Sequence, residues 1–585
     1  MVAPHPPKPR FALRVGVTGH RPNRLPQAGL NDVNSAIVDA LDAIRAEASK
    51  VYAGYKSYFA EGEPDLSVLT SLAEGADTMA ARAALIGNYS LEVVLPFSFE
   101  EYGKDFSPDA FETFSVLLQN ARARLELNGS RTSEAKSYEA AGLTILDLSD
   151  ILIAVWDGKP AAGRGGTAEL VSEAARRGMP IIRIDAEGLG FTKIQWRGFG
   201  ERHSNPVHID DHPLAEIRES LPTVVEALTR PPRSEREQPS YVRYCNERAK
   251  ERAFRLEFPL LMGLMGVRLP RSTDFWPPQP QRLAETMASG PGGSFVLSEA
   301  FGWADAVAIH FAQVFRSAFV CNFLVSAAAI IVLAISHSPF WILVEFGLVL
   351  ALIFNTTLGQ KSHWHLRWIE AREVAERLRV AAPMCEIGTR PFGPFGETPT
   401  WTSWYVRAKS REAGLRSGSL DEIGLQTARN SLVELLAGQR KYHETTARRF
   451  ERLHDNLSSV GKYLFISALV VAFAHLSIEV LVRFEVLGKA AVTDTVEYWF
   501  NFVATTMSAL GAASYGIRII GEFDGASRRS ARMKAQLDAL LSSIGKVPVS
   551  LDMLRDVAHH VAEVMLGDVA SWRLVVESRE LEIPG

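Results

Sequence analysis

Four long apolar runs stand out in the second half of the chain, at 318–335, 340–357, 463–482 and 499–520. A helical bilayer crossing needs about 20 mostly apolar residues, and each run approaches that length. The first, SAFVCNFLVSAAAIIVLAI, holds no charge between Arg316 and the short connection SHSPF, which predicts a tight hairpin. The second carries Glu345 near its Trp341 end, where the carboxylate reaches the interface. His475 and Glu479 lie toward the end of the third. The fourth is rich in small residues, among them Ala504, Ser508, Ala509, Gly511, Ala512 and Gly516, which suit close helix packing. The pattern predicts two helical hairpins and four crossings.

Amphipathic stretches flank these runs. HWHLRWIEAREVAERLRVAA follows the second run with helical spacing and predicts a continuation of that helix, ended at Pro383. Similar patterns precede the third run and follow the fourth. Basic residues crowd the segment between the hairpins (Arg367, Arg372, Arg377, Arg379, Arg440, Lys441) and recur after the fourth run (Arg518, Arg528, Arg529, Arg532). By the positive-inside rule both regions and both termini are cytoplasmic, which predicts a multi-pass protein of the inner, plasma membrane. His363 and His365 stand at i and i+2, which point apart on a helix, so no metal site is expected there. Proline- and glycine-rich WPPQPQ and ASGPGGS mark loops within 231–315, which is expected to be a linker or cytosolic helical region. The expected units are 1–230, 231–315, 316–383, 384–460, 461–522 and 523–585.

The first unit alternates short apolar runs with helical patterns. FALRVGVTGHRP reads as a strand stopping at a turn, followed by a helix near 30–48; LSVLTSLAEGAD, LEVVLPF and ILDLSDILIAVWDGK supply further strands. AAGRGGTAELVSEAARRGMPIIRID reads as a glycine loop, a helix and a strand. Repeated βαβ logic predicts a Rossmann-like α/β domain with a mostly parallel sheet and ligands at the carboxyl ends of its strands. The fold class expected is this domain joined to an all-α membrane region with cytosolic helical extensions.

A chain of 585 residues holds several structural units, and its net charge of −4 shows no basic excess that would point to nucleic acid. Three cysteines without a C-x-x-C pair fit neither a disulfide framework nor a zinc site. The N-terminal MVAPHPPKPR has no apolar core of a secretion signal, so the first domain is expected to stay in the cytosol.

Candidate chemistry gathers at the strand ends. Gly163, Arg164, Gly165 and Gly166 form a loop that lets a ligand approach the backbone, and the helix starting near Thr167 points unsatisfied N–H groups at an anion. Gly16, Thr18, Gly19, His20 and Arg21 occupy the first strand and its loop, where hydroxyl, amide and basic donors face the same crevice. Glu74, Gly75 and Asp77 come from the second loop and Pro96 from the third. Trp156 and Asp157 end a further strand, and Asp157 and Glu169 are candidates for holding ribose hydroxyls.

VGVTGHRP, SLAEGAD, LPF with its following EEY, SDILIAVWDG and GRGGTAELVSEAARRGMPI together resemble the SLOG superfamily, the Rossmann-like group that includes the LOG phosphoribohydrolases and DprA. The resemblance covers about the first third of the chain. It implies binding of a nucleotide or ADP-ribose-type ligand, gives Gly165, Gly166 and Thr167 the phosphate role, and implies no resident cofactor. LOG enzymes carry P-G-G-x-G-T-x-x-E; here Leu170 holds the glutamate position and Glu169 falls one residue early. On a helix that is a rotation of about 100°. Sensing is therefore expected ahead of N-glycosidic hydrolysis. HWHLRWIEAREVAERLR after the first hairpin and the terminal WRLVVESRELEIPG make the remainder similar to the SLATT group of two-span membrane modules. That resemblance implies a pore-forming or membrane-disrupting effector released by a second messenger, as in bacterial antiviral defence. The expected partners are a nucleotide-derived small molecule, the lipid bilayer and further copies of the chain in a homo-oligomer.

Overall fold

The computed structural model describes residues 4–160, 165–187, 192–198, 214–288, 294–335, 338–390, 400–487, 493–577 and 581–583. A nine-stranded sheet has the order β8-β7-β6-β5-β1-β2-β3-β4-β9. Its strands are β1 (Ala12–Gly19), β2 (Asp65–Thr70), β3 (Ser90–Leu95), β4 (Ala123–Leu127), β5 (Ile151–Trp156), β6 (Ile181–Asp185), β7 (Thr192–Gln195), β8 (Leu214–Glu216) and β9 (Gly418–Leu420). β1 to β6 and β9 are parallel, with α1 (Leu30–Gly54), α2 (Ala76–Ile86), α3 (Pro108–Gln119), α4 (Glu134–Leu148) and α5 (Thr167–Arg176) among the crossovers. Covered on both faces, β1 and β5 are buried almost throughout, which explains their apolar composition. The sheet is mostly parallel, as expected, and at one edge β7 and β8 run antiparallel. Only six residues separate β6 from β7. A parallel return needs a crossover of about a dozen or more.

The opposite edge holds a strand the pattern does not reveal. β9 comes from the segment between the hairpins and pairs with β4, Leu125 opposite Gly418 and Leu127 opposite Leu420. The preceding helix, Trp401–Ala413, packs into the core of the sheet domain. Its Arg411 binds Asp150 at 2.7 Å, and Arg14 of β1 donates from Nε to the Arg411 carbonyl at 2.8 Å while pairing with Glu92. Trp401, Trp404 and Tyr405 are buried against Tyr241 and Tyr244 from the predicted linker, and the Trp404 indole donates to the Thr229 carbonyl at 3.0 Å. The linker region forms short helices, and a long helix begins at Phe295, well before the first apolar run.

The helical part comprises α6 (Phe295–Ile335), α7 (Pro339–Lys361), α8 (Trp364–Glu386), α9 (Glu422–Arg483), α10 (Asp494–Gly521), α11 (Phe523–Ile544) and α12 (Leu551–Glu577). Among the described residues, three stretches are long and apolar enough to cross a membrane: Phe295–Ile335, Pro339–Glu386 and Glu422–Arg483. The fourth expected crossing lies in α10 and is not among them, because Thr505, Thr506, Ser508, Gly511, Ser514 and Gly516 dilute its hydropathy. Phe346, Phe354, Leu469, Phe473 and Trp499 are each more than half exposed, an apolar belt suited to lipid. The Tyr498 hydroxyl donates to the Ile335 carbonyl at 2.8 Å, so both hairpin tips lie at one end.

Two expectations change. The helix after the second run does not continue straight: Ser362 and His363 interrupt it, His363 with φ of +51°. Glu522, with φ of +47°, makes the equivalent break after α10. Pro383 lies inside α8 rather than ending it, since so near the terminus it removes one backbone bond only. The chain turns instead at Gly388, φ +67°.

Candidate functional site

From β1 the chain proceeds to β2, β3 and β4 on one side and then returns to β5 on the other. The crevice outside the carboxyl ends of β1 and β5 is therefore the topological switch point, where open α/β sheets bind ligands. His20 and Asp157 meet there, with His20 Nε2 at 3.0 Å from Asp157 Oδ1 and both side chains less than a tenth exposed. Arg24 reaches the other carboxylate oxygen at 2.8 Å, and the Lys159 amide donates to Oδ1 at 3.1 Å. Burial works to raise the Asp157 carboxyl. The His20 hydrogen bond, the Lys159 amide and the charges of His20 and Arg24 outweigh it and hold the group at about 2.

The glycines of the first two loops serve close packing. A Cβ on Gly19 would stand 2.4 Å from the Ala76 methyl, and on Gly75, φ +109°, 2.6 Å from the His20 carbonyl. These contacts draw the two loops together and let the Ala76 amide donate to the His20 carbonyl at 3.2 Å. Gly16 lies within β1 against Ser149, away from the strand end. Thr18 is buried. Asp77, in the first turn of α2, accepts from the Thr70 hydroxyl at 2.9 Å and is buried. Burial lifts its carboxyl to about 6 against the hydrogen bonds from Thr70, Ser71 and Ala73. Glu74 is half-buried beside it, and Pro96 is buried with its carbonyl facing Gly129.

Gly163 and Arg164 lie outside the described residues. Gly165, φ +80°, packs against α4, where a Cβ would meet the Ala135 carbonyl at 2.7 Å. Its amide donates to Glu169 Oε2 at 2.5 Å. Glu169 thus turns back on its own loop and occupies a donor that an incoming phosphate would use. Gly166 caps α5, whose first residue is Thr167. Trp156 packs with Leu146, Leu170 and Val171 and donates to the Lys159 carbonyl at 3.0 Å, so it supports the loop from beneath.

A second cluster adjoins the pair and escapes sequence reasoning. Arg21 lies 5.3 Å from the Tyr138 ring centroid, and the Tyr138 hydroxyl donates to Asp105. Arg131 binds Asp105 at 2.7 Å and Glu101 at 2.9 Å and covers the Phe97 ring at 4.3 Å. Burial and the Asp105 bond push the Tyr138 phenol up to about 12. Arg21 and the EEY after LPF, with Glu101 and Tyr102, are the sequence hints of this cluster; Arg131 and Tyr138 come from a separate loop and helix that the fold brings alongside.

The crevice thus combines a buried histidine–carboxylate pair with exposed arginines, a set able to bind a polar anionic ligand and to move a proton at His20. Residues 299–397 match the family model described as a protein of unknown function (DUF4231). That match covers most of α6, all of α7 and α8 and the residues up to 397, and leaves the sheet strands outside it. No curated protein matches the chain.

Proposed function

We propose that the chain is a membrane effector that senses a nucleotide-derived second messenger at the β1/β5 crevice and answers by opening or disrupting the bilayer. One observation carries this reading. β9 is hydrogen-bonded into the sheet, and Asp421, the next residue, caps α9, which runs 62 residues into the third apolar run. A ligand that alters the sheet thereby acts on a membrane helix through continuous secondary structure. The resemblance to the SLOG and SLATT groups supplies the ligand class and the setting, bacterial antiviral defence. Both termini and the sheet domain are assigned to the cytoplasm by the basic flanks of the hairpins. Switching from 1:99 to 99:1 requires the ligand to favour one state by about 5.5 kcal/mol, which a homo-oligomer supplies over several sites.

The test uses the full chain in dye-loaded liposomes titrated with candidate nucleotides. Saturable leakage with one nucleotide class, abolished in Arg21→Ala, is the expected result. Leakage indifferent to every nucleotide would remove the sensing role.

The His20–Asp157 pair favours a second reading, a membrane-anchored N-glycosidic hydrolase, because a carboxylate orienting a buried histidine is the arrangement of a general base. Turnover lost in His20→Gln supports hydrolysis. Saturable binding without product supports sensing.

A further inference from the structure

A cavity of about 600 Å³ lies beneath the apolar runs where α6, α8, α9, α11 and α12 meet. Along α6 its wall runs from Phe319 to Asp305, about 21 Å at 1.5 Å per residue. The far end is ionic, and its charges answer one another. Arg372 and Arg379 both reach Glu376 and approach Asp305 at 3.5 and 3.7 Å. Arg529 pairs with Glu522 at 3.4 Å, and Asp568 feels the charges of Arg529 and Arg372.

Arg316, toward the membrane end, is different. Its guanidinium sits among three rings, 5.6 Å from the centroid of Phe258, 5.0 Å from Trp368 and 5.5 Å from Phe450. Among the described residues it makes no ion pair and no hydrogen bond. A guanidinium does not shed its proton, and aromatic faces attract it without neutralising it. Such a cation leaves the adjoining space with a positive field that an anion relieves.

Two histidines add to this. His365 stacks on Phe315 at 4.4 Å and lies 6.0 Å from the Trp368 ring, so it flanks the same indole as Arg316. Its Nε2 is buried without a hydrogen-bond partner, as is Nδ1 of His443, and both residues line the cavity. Burial holds each imidazole down to about 4, so both are neutral and each offers a donor and an acceptor nitrogen. Buried polar atoms are nearly always satisfied, and here the cavity is the space from which a partner comes. Arg316 also directly precedes the first apolar run, the level at which anionic headgroups of a cytoplasmic leaflet lie.

We propose that this cavity binds a phosphate-bearing ligand, with Arg316 as its counter-charge, His365 Nε2 as a donor and the aromatic end around its apolar portion. The site is separate from the β1/β5 crevice and stands whether or not that crevice senses nucleotides. Phosphate reaches it either on a lipid headgroup or as a soluble ester, and the probes distinguish the two.

The full chain, purified in detergent, is extracted and its bound phosphorus and lipid measured by mass spectrometry. Its thermal midpoint is then read with dihexanoyl phosphatidic acid and, separately, with inorganic phosphate. The expected result is stoichiometric phospholipid on the wild-type chain and about tenfold less on Arg316→Gln, the loss of one charge-assisted contact. Arg316→Lys should retain an intermediate amount. A shift with the lipid probe alone identifies a headgroup; an equal shift with inorganic phosphate identifies a soluble ester. Ala312→Leu narrows the cavity without changing charge and should also reduce retention, which decides the matter if Arg316→Gln does not fold. Absence of bound phosphorus together with no shift from either probe overturns the proposal. So does wild-type retention in folded Arg316→Gln or, should that chain not fold, in Ala312→Leu.

Discussion

Two carboxylates, Asp157 after β5 and Asp77 in the first turn of α2, titrate in opposite senses. Asp157 is held at about 2, below the ordinary value near 3.9, so its ionised form favours folding. Its contribution is present above about pH 4 and is lost as pH falls through about 2. Asp77, lifted to about 6, keeps a proton in the folded chain that the unfolded chain releases from about pH 4 upward, so its effect is to lower stability as pH rises across that window. Asp157→Asn is expected to cost about 1–3 kcal/mol, because His20 and the Lys159 amide lose a charged acceptor. Asp77→Asn should gain on the wild type steadily between pH 4 and 6, read as the difference in thermal midpoints in detergent. A constant difference would show that Asp77 does not titrate there. His363 supplies a backbone test, since a left-handed residue other than glycine costs about 1–2 kcal/mol. His363→Gly should be neutral or stabilising by up to about 1 kcal/mol, and His363→Val destabilising, in chemical denaturation.

At the scale of elements, the junction of β9 and α9 is the most constrained. Asp421 accepts from the Gly424 amide at 2.8 Å, and a Cβ on Gly424 would fall 2.2 Å from the Ser419 carbonyl. Gly424→Ala must therefore move backbone, and its expected signature is faster hydrogen exchange at Ala123–Leu127 of β4 with the helix of α9 retained. Unchanged exchange there would mean that the junction yields without releasing the strand. The strands β1, β2, β3, β5 and β6 were legible because each is an apolar run stopped by glycine or a polar turn; β4, ARLEL, was not, because Arg124 and Glu126 interrupt its apolar positions. β9 was not, because three residues, GSL, form a strand only through pairing with β4. The breaks at His363 and Glu522 were illegible for a related reason: neither is glycine or proline, and tertiary packing imposes the turn. In the candidate site His20 and Asp157 were each legible as strand-end residues, but their meeting came only with the pairing of β1 and β5, and Arg131 and Tyr138 carry no motif of their own.

Across the whole molecule, the exposed belt of Phe346, Phe354, Leu469 and Phe473 has no counterpart in a water-soluble surface. The chain should be monodisperse in detergent and aggregate in plain buffer, checked by size-exclusion with light scattering; a monodisperse chain without detergent would contradict membrane insertion. Several small residues of α10 serve close helix packing within the chain. Gly516 accommodates Phe323, Ala509 and Ala513 meet Ala327, and the Ser514 hydroxyl donates to the Leu457 carbonyl at 2.8 Å. The long helix that begins at the sheet edge has a mechanical consequence of its own. Its 62 residues extend about 93 Å, so a tilt of about 5° at its foot swings the far tip by about 8 Å, more than one helical pitch. A lever of that length turns sub-ångström strain at the sheet edge into a displacement of several ångströms at the far end of the helix.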